Sequence, residues 1–453
     1  MRLMFWGSAL LIAYVYVGYA VLLTLWARLK RGGRGGALRG PANQPSPRLR
    51  RFAVVSTKAE AGPHDRMDEC ADRRGVRLQP DLPSISIIIA ARNEARRLPA
   101  RIDNLLSLGY PADHLEIIVV SDGSSDDPRT ALAPFGPRVS LVDIPSSGKA
   151  VALNAGVAKA TGEVLVFADA RQTFADDALH ALVAPLADPR IGGVSGELIL
   201  GAEGQAGRRS HADRRSEDEG DVEWMAHNRR ATERRLSSSV GDGVGFYWKY
   251  EKRLRQLESE VGSMIGATGA IYALRRSLWR PLPPGTILDD VLAPMRAVLS
   301  GKRIVFEPQA RAFDSTSVDA DAESRRKIRT LAGNVQILWF EPRLLVPFVN
   351  PVWLQYASHK VGRLLVPYAL MALFASSIVL SNQSLFYTFA LFCQAAFYLH
   401  GGYGAWLEHR QSAPPSRRSL VQRTGAMAFT VVVMNVAAVA GAGAALLGRK
   451  VWR

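Results

Sequence analysis

The sequence predicts an α/β domain with a mostly parallel sheet, flanked by transmembrane helices at both ends of the chain. Three observations carry that expectation. Apolar strand-like runs alternate with helical ones between residues 85 and 168. Long charge-free stretches lie near the two ends. Polar residues follow each apolar run, at what would be one rim of a parallel sheet.

Composition sets the outer bounds. Of 453 residues, 48% are hydrophobic and 22% charged, which excludes a disordered or collagen-like chain as a whole. Lys and Arg number 57 against 41 Asp and Glu, a formal net charge of +16. Such an excess points to an anionic partner: nucleic acid, a phosphate-bearing substrate or an anionic membrane surface. The two cysteines, Cys70 and Cys393, form neither a disulfide framework nor a metal site of the usual spacing.

Taken in order, Leu3 to Trp26 carries no charge and is long enough to cross a hydrocarbon core of about 30 Å as a helix. A cleaved signal peptide is the alternative. The stretch is too long for one, and no small-residue cleavage site precedes the basic run. Residues 1–27 are therefore expected to be a transmembrane anchor. Arg28, Lys30, Arg31, Arg34 and Arg39 follow and assign that side to the cytoplasm. Residues 28–83, rich in Gly, Pro and Arg, read as a flexible basic linker.

Residues 84–340 read as the cytoplasmic domain. Ile85 to Ala90 is a buried-strand run, and Ala95 to Leu108 has helical spacing that Gly109-Tyr110-Pro111 stops. Leu115 to Val120 is a second strand, Lys149 to Lys159 a helix and Glu163 to Ala168 a third strand. Residues 201–240 interleave arginines with acids and hold few apolar residues, the mark of a solvated, disordered insertion rather than a nucleic-acid patch. No nucleic-acid partner is expected.

Asn350 to Lys360 is amphipathic, with Trp353, Tyr356, His359 and Lys360 suited to an interfacial helix over 341–363; a plain linker helix is the alternative. Residues 364–448 then read as about three further transmembrane helices: a hairpin of Leu364–Leu380 and Leu385–Leu407, and a stretch from Thr424 to Leu447. The expected location is the plasma membrane, multi-pass.

The strand ends carry the chemistry. Asp122 follows an apolar run and precedes a Gly/Ser turn, so it could accept hydrogen bonds from a base or ribose, or serve as a turn aspartate. Asp169 repeats that situation, and a strand-end carboxylate near a diphosphate is a natural divalent-metal ligand. Asp289-Asp290, after a Pro/Gly loop, suit either a helix N-cap or a general base tuned by its neighbour. Arg325-Arg326-Lys327-Ile328-Arg329 suits phosphate binding, a solvated face or a membrane-proximal patch.

In series, Ile87 to Glu94, Val119 to Asp126, Gly148 to Gly156, Phe167 to Arg171, Ala267 to Tyr272, Leu288 to Asp290 and Arg326 to Arg329 resemble family 2 glycosyltransferases. The likeness covers roughly residues 84–335. With the flanking apolar helices, it is to the membrane-embedded branch of cellulose, hyaluronan and poly-N-acetylglucosamine synthases. The resemblance implies a GT-A fold, a nucleotide-diphospho-sugar donor (commonly UDP-linked), inversion at the anomeric carbon and a glycan or lipid acceptor. Residue by residue, it implies that Asp122 contacts uracil and that Glu94 and Lys149 line the nucleotide site. Asp169 would stand at the metal, Mg²⁺ or Mn²⁺, and the diphosphate. Asp290 would be the base beside Asp289, and Arg326 and Arg329 would clamp the diphosphate. The chain departs from the pattern in three places, the mildest being Asp289-Asp290 where Glu-Asp is common. Asp169-Ala170-Arg171 replaces the frequent Asp-x-Asp, so either Arg171 would partly replace metal charge or metal binding would be weak. Thr330 stands where processive synthases have tryptophan, which removes a sugar-stacking platform. A nucleotidyl- or phospho-transferase, or a catalytically degenerate membrane scaffold, is the alternative.

Overall fold

A computed structural model describes residues 1–32, 82–200, 242–314, 320–409 and 419–446. Most of the basic linker and all of the insertion expected at 201–240 lie outside the described residues.

The first helix, α1 (Arg2–Gly32), is apolar and long enough to span a membrane. The α/β domain follows: β1 (Ile85–Ala91), α2 (Leu98–Leu106), β2 (Leu115–Asp122), α3 (Pro128–Leu132), β3 (Val139–Ile144), α4 (Lys149–Lys159), β4 (Val164–Ala168) and β5 (Thr173–Phe174). It continues with α5 (Ala178–Val183), β6 (Ile191–Leu200), α6 (Asp242–Val261), β7 (Ile271–Arg275), α7 (Asp289–Leu299), β8 (Arg303–Asp314) and α8 (Ala320–Phe340). The helix expected from Ala95 starts three residues later. The Arg97 and Leu98 N–H groups both close a turn on the Glu94 carbonyl, and Pro99 sits in the first helical turn, where its missing N–H costs nothing.

One eight-stranded sheet runs β3-β2-β1-β4-β7-β6-β8-β5. Strands β3, β2, β1 and β4 are parallel neighbours, and β6 is parallel to β8. Strand β7 is antiparallel to both of its neighbours, and β5 is antiparallel to β8. The sheet is therefore mixed but mostly parallel. Its central strands are apolar on both faces because both faces are covered. Ile87, Ile89, Val119 and Val166 pack on one side with Leu98, Ile102 and Leu105 of α2. Ile88, Val120, Leu165 and Phe167 alternate to the other side, against Leu153 of α4 and Leu292 and Met295 of α7.

The C-terminal region holds α9 (Trp353–Gln383), α10 (Leu385–His409) and α11 (Leu420–Leu446). Among the described residues, three helices are long and apolar enough to cross a membrane: α1, α9 and residues Leu420–Gly443 of α11. The expected fourth span, α10, forms a 25-residue helix. Gln394, His400 and the glycines beside it dilute its hydropathy. Of the segment expected as a separate interfacial helix over 341–363, the part from Trp353 onward is continuous with α9. Between Trp353 and Pro367 no proline or left-handed residue interrupts it, and only a widened π turn at Ala357–Val361 marks the passage.

Candidate active site

The carboxyl ends of β1, β2 and β4 lie side by side, and the loops beyond them are tied together. Asn93, at φ 56°, accepts a 2.8 Å hydrogen bond from the Ser125 N–H, and Asp126 accepts one of 2.7 Å from the Ala95 N–H. Gly123 follows Asp122 at φ 61°, and a Cβ there would stand 2.5 Å from the Ser146 nitrogen. Only glycine lets the two loops approach so closely.

Asp122 is buried, and its carboxylate is engaged within the chain. Oδ1 accepts from the Ser147 N–H at 2.6 Å, and both oxygens lie 3.0 Å from the Gly148 nitrogen. The residue read as a base contact thus anchors the loop that starts α4. The first residue of α4 is Lys149. Its Nζ stands 3.3 Å from Asp169 Oδ1 and 3.5 Å from Asp289 Oδ2. Burial alone would lower the Lys149 ammonium; Asp289, Asp169 and Asp290 outweigh it and raise it.

Asp289 and Asp290 occupy the first turn of α7, where the helix dipole favours negative charge. Asp290 is nonetheless pushed up to about 6, first by burial and then by the adjacent Asp289 charge, with Lys149, Lys360 and Arg255 opposing. The loop before β7 lies on it. The Ala267 N–H donates to the Asp290 carbonyl at 2.7 Å, and a Cβ on Gly269 would come within 3.0 Å of Asp290 Oδ2. The Tyr272 hydroxyl faces the same carboxylates and is buried without a hydrogen-bond partner.

Among the described side chains, Glu94, Arg171 and Arg329 make no hydrogen bond or ion pair with this cluster. Glu94 is half-buried and pairs with Arg97, and Arg171 is exposed beyond β4. Arg329 is exposed on α8; Arg326 lies on the same helix, and its side chain is outside the described residues. Helix α8 reaches the loop before Asp289. Gln336 Nε2 donates to the Gly285 carbonyl and its Oε1 accepts from the Ile287 N–H, both at 2.9 Å.

Residues 86–256 match the model of glycosyl transferase family 2. The chain carries a family 2 glycosyltransferase domain. Its curated relatives include a probable glycosyltransferase, YdaM of Bacillus subtilis, 34% identical over 126 residues, which are 26% of this chain and 30% of that protein. The poly-beta-1,6-N-acetyl-D-glucosamine synthase of Staphylococcus epidermidis is 34% identical over 116 residues, 25% of this chain and 28% of that one. The beta-monoglucosyldiacylglycerol synthase of Trichormus variabilis is 29% identical over 123 residues, 26% of each chain. The matched part thus spans under a third of these relatives' length. The mannosyltransferase PcManGT from Pyrobaculum calidifontis, solved with GDP-Man and Mn²⁺, shares the fold at a TM-score of 0.59 and 20% identity over 98% of this chain and 99% of that one. The family 2 domain accordingly has a GT-A-like architecture, with apolar helices of spanning length on both sides of it.

Sequence reasoning gave no role to Tyr272, Arg255, Glu251 or Glu258. An isolated tyrosine in a strand and three charges in a helix carry no local signal. His359 and Lys360 were read only as interfacial.

Proposed function

We propose that this chain is a membrane-anchored, inverting glycosyltransferase. It moves a sugar from a nucleotide-diphospho-sugar, of the UDP type, to a polysaccharide or lipid-linked acceptor. The observation that carries this reading is the meeting of Lys149 with Asp169 and with Asp289, the neighbour of Asp290 in the first turn of α7.

A sugar hydroxyl is a poor nucleophile near neutral pH. Asp290 takes its proton as the oxygen attacks the anomeric carbon. The bond from that carbon to the diphosphate breaks, and its electron pair leaves with the phosphate. Base assistance of this kind is worth about 10²–10⁴-fold. Lys149 supplies positive charge where the diphosphate departs, and Arg171, Arg326 and Arg329 are the further cations this reading assigns to it. Glu94 and Asp122 shape the nucleotide side, Asp122 by holding the Ser147–Gly148 backbone.

Among the described residues no group of three His, Cys, Asp or Glu side chains could enclose a metal ion. The donor set fits a divalent cation held by one carboxylate and mainly by substrate phosphates. Asp169 would be that carboxylate, since Lys149 engages only its Oδ1. When bound, Mg²⁺ or Mn²⁺ neutralises charge on the departing diphosphate.

Membrane placement is supported by α1, whose last turn is basic and docks on the catalytic side. Lys30 donates to the Val261 carbonyl at 2.7 Å, and Arg31 pairs with Glu260. Positive charge at that end assigns it, and the domain, to the cytoplasm. Labelled UDP-sugars incubated with membranes containing the chain test the reading. Label should enter lipid or polymer. No turnover with any nucleotide sugar would defeat it.

A further inference from the structure

Helix α6 makes two sets of contacts, one to the membrane helices and one to the loop that lies on Asp290. Toward the membrane, His359 of α9 is buried between two α6 carboxylates, with Nδ1 2.7 Å from Glu258 and Nε2 3.1 Å from Glu251. The Tyr19 hydroxyl of α1 donates to Glu258 at 2.8 Å, and Arg363 of α9 pairs with Glu251 at 2.8 Å. Arg255 stands one turn beyond Glu251 on the same helix, its Nε 3.9 Å from Glu251 Oε1. Its Nη1 donates to Thr268 Oγ1 at 2.9 Å.

Thr268 is buried in the loop that leads into β7. Its N–H donates to Ser195 Oγ of β6 at 2.9 Å, and the Ser195 hydroxyl lies 3.3 Å from Thr268 Oγ1. Its carbonyl accepts from the Ile271 N–H at 3.0 Å. The residues on either side of it both border Asp290. The Ala267 N–H holds the Asp290 carbonyl, and Gly269 lies so close that only a residue without Cβ leaves Asp290 Oδ2 its place. The placement of Thr268 therefore governs both contacts. Its backbone is tied to β6 and β7. Arg255 adds a charged donor to its side chain, and such bonds are about twice as strong as neutral ones. Placement matters at a base, where a displacement of about 1 Å can cost about 10²-fold in rate.

We propose that Arg255 is a positioning residue for the transfer step: its hydrogen bond to Thr268 fixes the 266–270 loop against Asp290 and so holds the base in reach of the acceptor hydroxyl. This rests on the transferase reading above. Arg255 acts through the loop, and the reaction is unchanged. The acceptor proton passes to Asp290, the new bond forms at the anomeric carbon, and the diphosphate leaves with the electron pair.

The test uses inverted membrane vesicles from cells producing the full chain, which contain whatever acceptor those cells supply. Incorporation of label at saturating UDP-sugar is measured per chain, across a panel of such donors. Calorimetry on the purified full chain gives UDP affinity and the number of UDP sites per chain. Arg255→Met and Thr268→Val should each lower the saturating rate about ten- to a hundredfold, as for loss of a hydrogen bond to a charged group. UDP affinity should stay within about twofold of wild type, with the site count unchanged, so the split falls on kcat. Thr268→Ser keeps the hydroxyl and should restore the rate lost in Thr268→Val. The double variant should be no slower than the worse single one, because both changes remove the same bond. Wild-type rates in Arg255→Met or Thr268→Val, or multiplied losses in the double variant, would overturn the proposal. So would a loss of rate matched by a loss of UDP sites, which is the mark of a structural role alone. A wild-type chain silent with every donor would instead defeat the transferase reading itself.

Discussion

Lys149 Nζ lies 3.5 Å from the carboxylate of Asp289, which is 5% exposed at its side chain while the lysine keeps 42%. The pair joins the two halves of the site, since Lys149 starts α4 and Asp289 starts α7. The buried carboxylate fixes the ammonium, and the exposed part of the ammonium remains open to a ligand.

Lys149→Met should therefore weaken both structure and donor binding. Breaking a fully buried ion pair costs about 3–5 kcal/mol. The lysine's exposure reduces this to about 1–2 kcal/mol. Thermal unfolding and UDP calorimetry check the two effects. A melting shift with unchanged UDP affinity would make Lys149 purely structural.

The pH dependence follows from Asp290, pushed up to about 6 by burial and by Asp289. The base must be ionised, so kcat/KM should fall as pH drops through about 6. An acid limb near the ordinary carboxylate value of about 4 would contradict this. Stability has the opposite sign. Between about pH 4 and 6 the folded carboxyl holds a proton that the unfolded chain has released, so the Asp290 contribution declines as pH rises through that window. Asp290→Asn should raise the Tm at neutral pH.

Metal binding should depend on the nucleotide. With Asp169 as the one protein carboxylate, Mn²⁺ alone should bind weakly, and UDP should strengthen it by supplying phosphate oxygens. Calorimetry with and without UDP measures this. Tight Mn²⁺ binding without nucleotide would mean a fuller protein cage.

His359→Ala should leave Glu258 and Glu251 facing each other without their shared partner. Burial alone would raise Glu251, but Arg363, His359 and Arg255 outweigh it and hold it well below the usual carboxylate range. Glu258 is 1% exposed. Removing one member of such a buried set costs about 3–5 kcal/mol. Thermal unfolding of the full chain in detergent reads this, and a Tm within a degree or so of wild type would show that the cluster does not hold α1, α6 and α9 together.

The parallel half of the sheet was legible because β1, β2 and β4 are unbroken apolar runs, each followed at once by polar residues. Asp169 follows directly from the β4 strand end, while Lys149 and Asp289 reach it from the first turns of α4 and α7. Other features depend on contacts that no local pattern records. The antiparallel insertion of β7 between β4 and β6 joins residues about 80 to 110 apart. His359 finds Glu258 across 101 residues of sequence. Asp122 read as a ligand contact because a strand-end acid looks the same whether it faces a base or a neighbouring backbone. Continuity of Trp353–Gln383 was missed because aromatic and basic residues that suit an interface also suit the first turns of a span.

The central claim is that Asp290 deprotonates the acceptor at a donor site built by Lys149 and Asp169. Comparing label transfer and UDP affinity for the wild-type chain and Asp290→Asn tests it most directly. Transfer should fall by about 10²–10⁴-fold with UDP affinity retained; full transfer by the asparagine variant would contradict it.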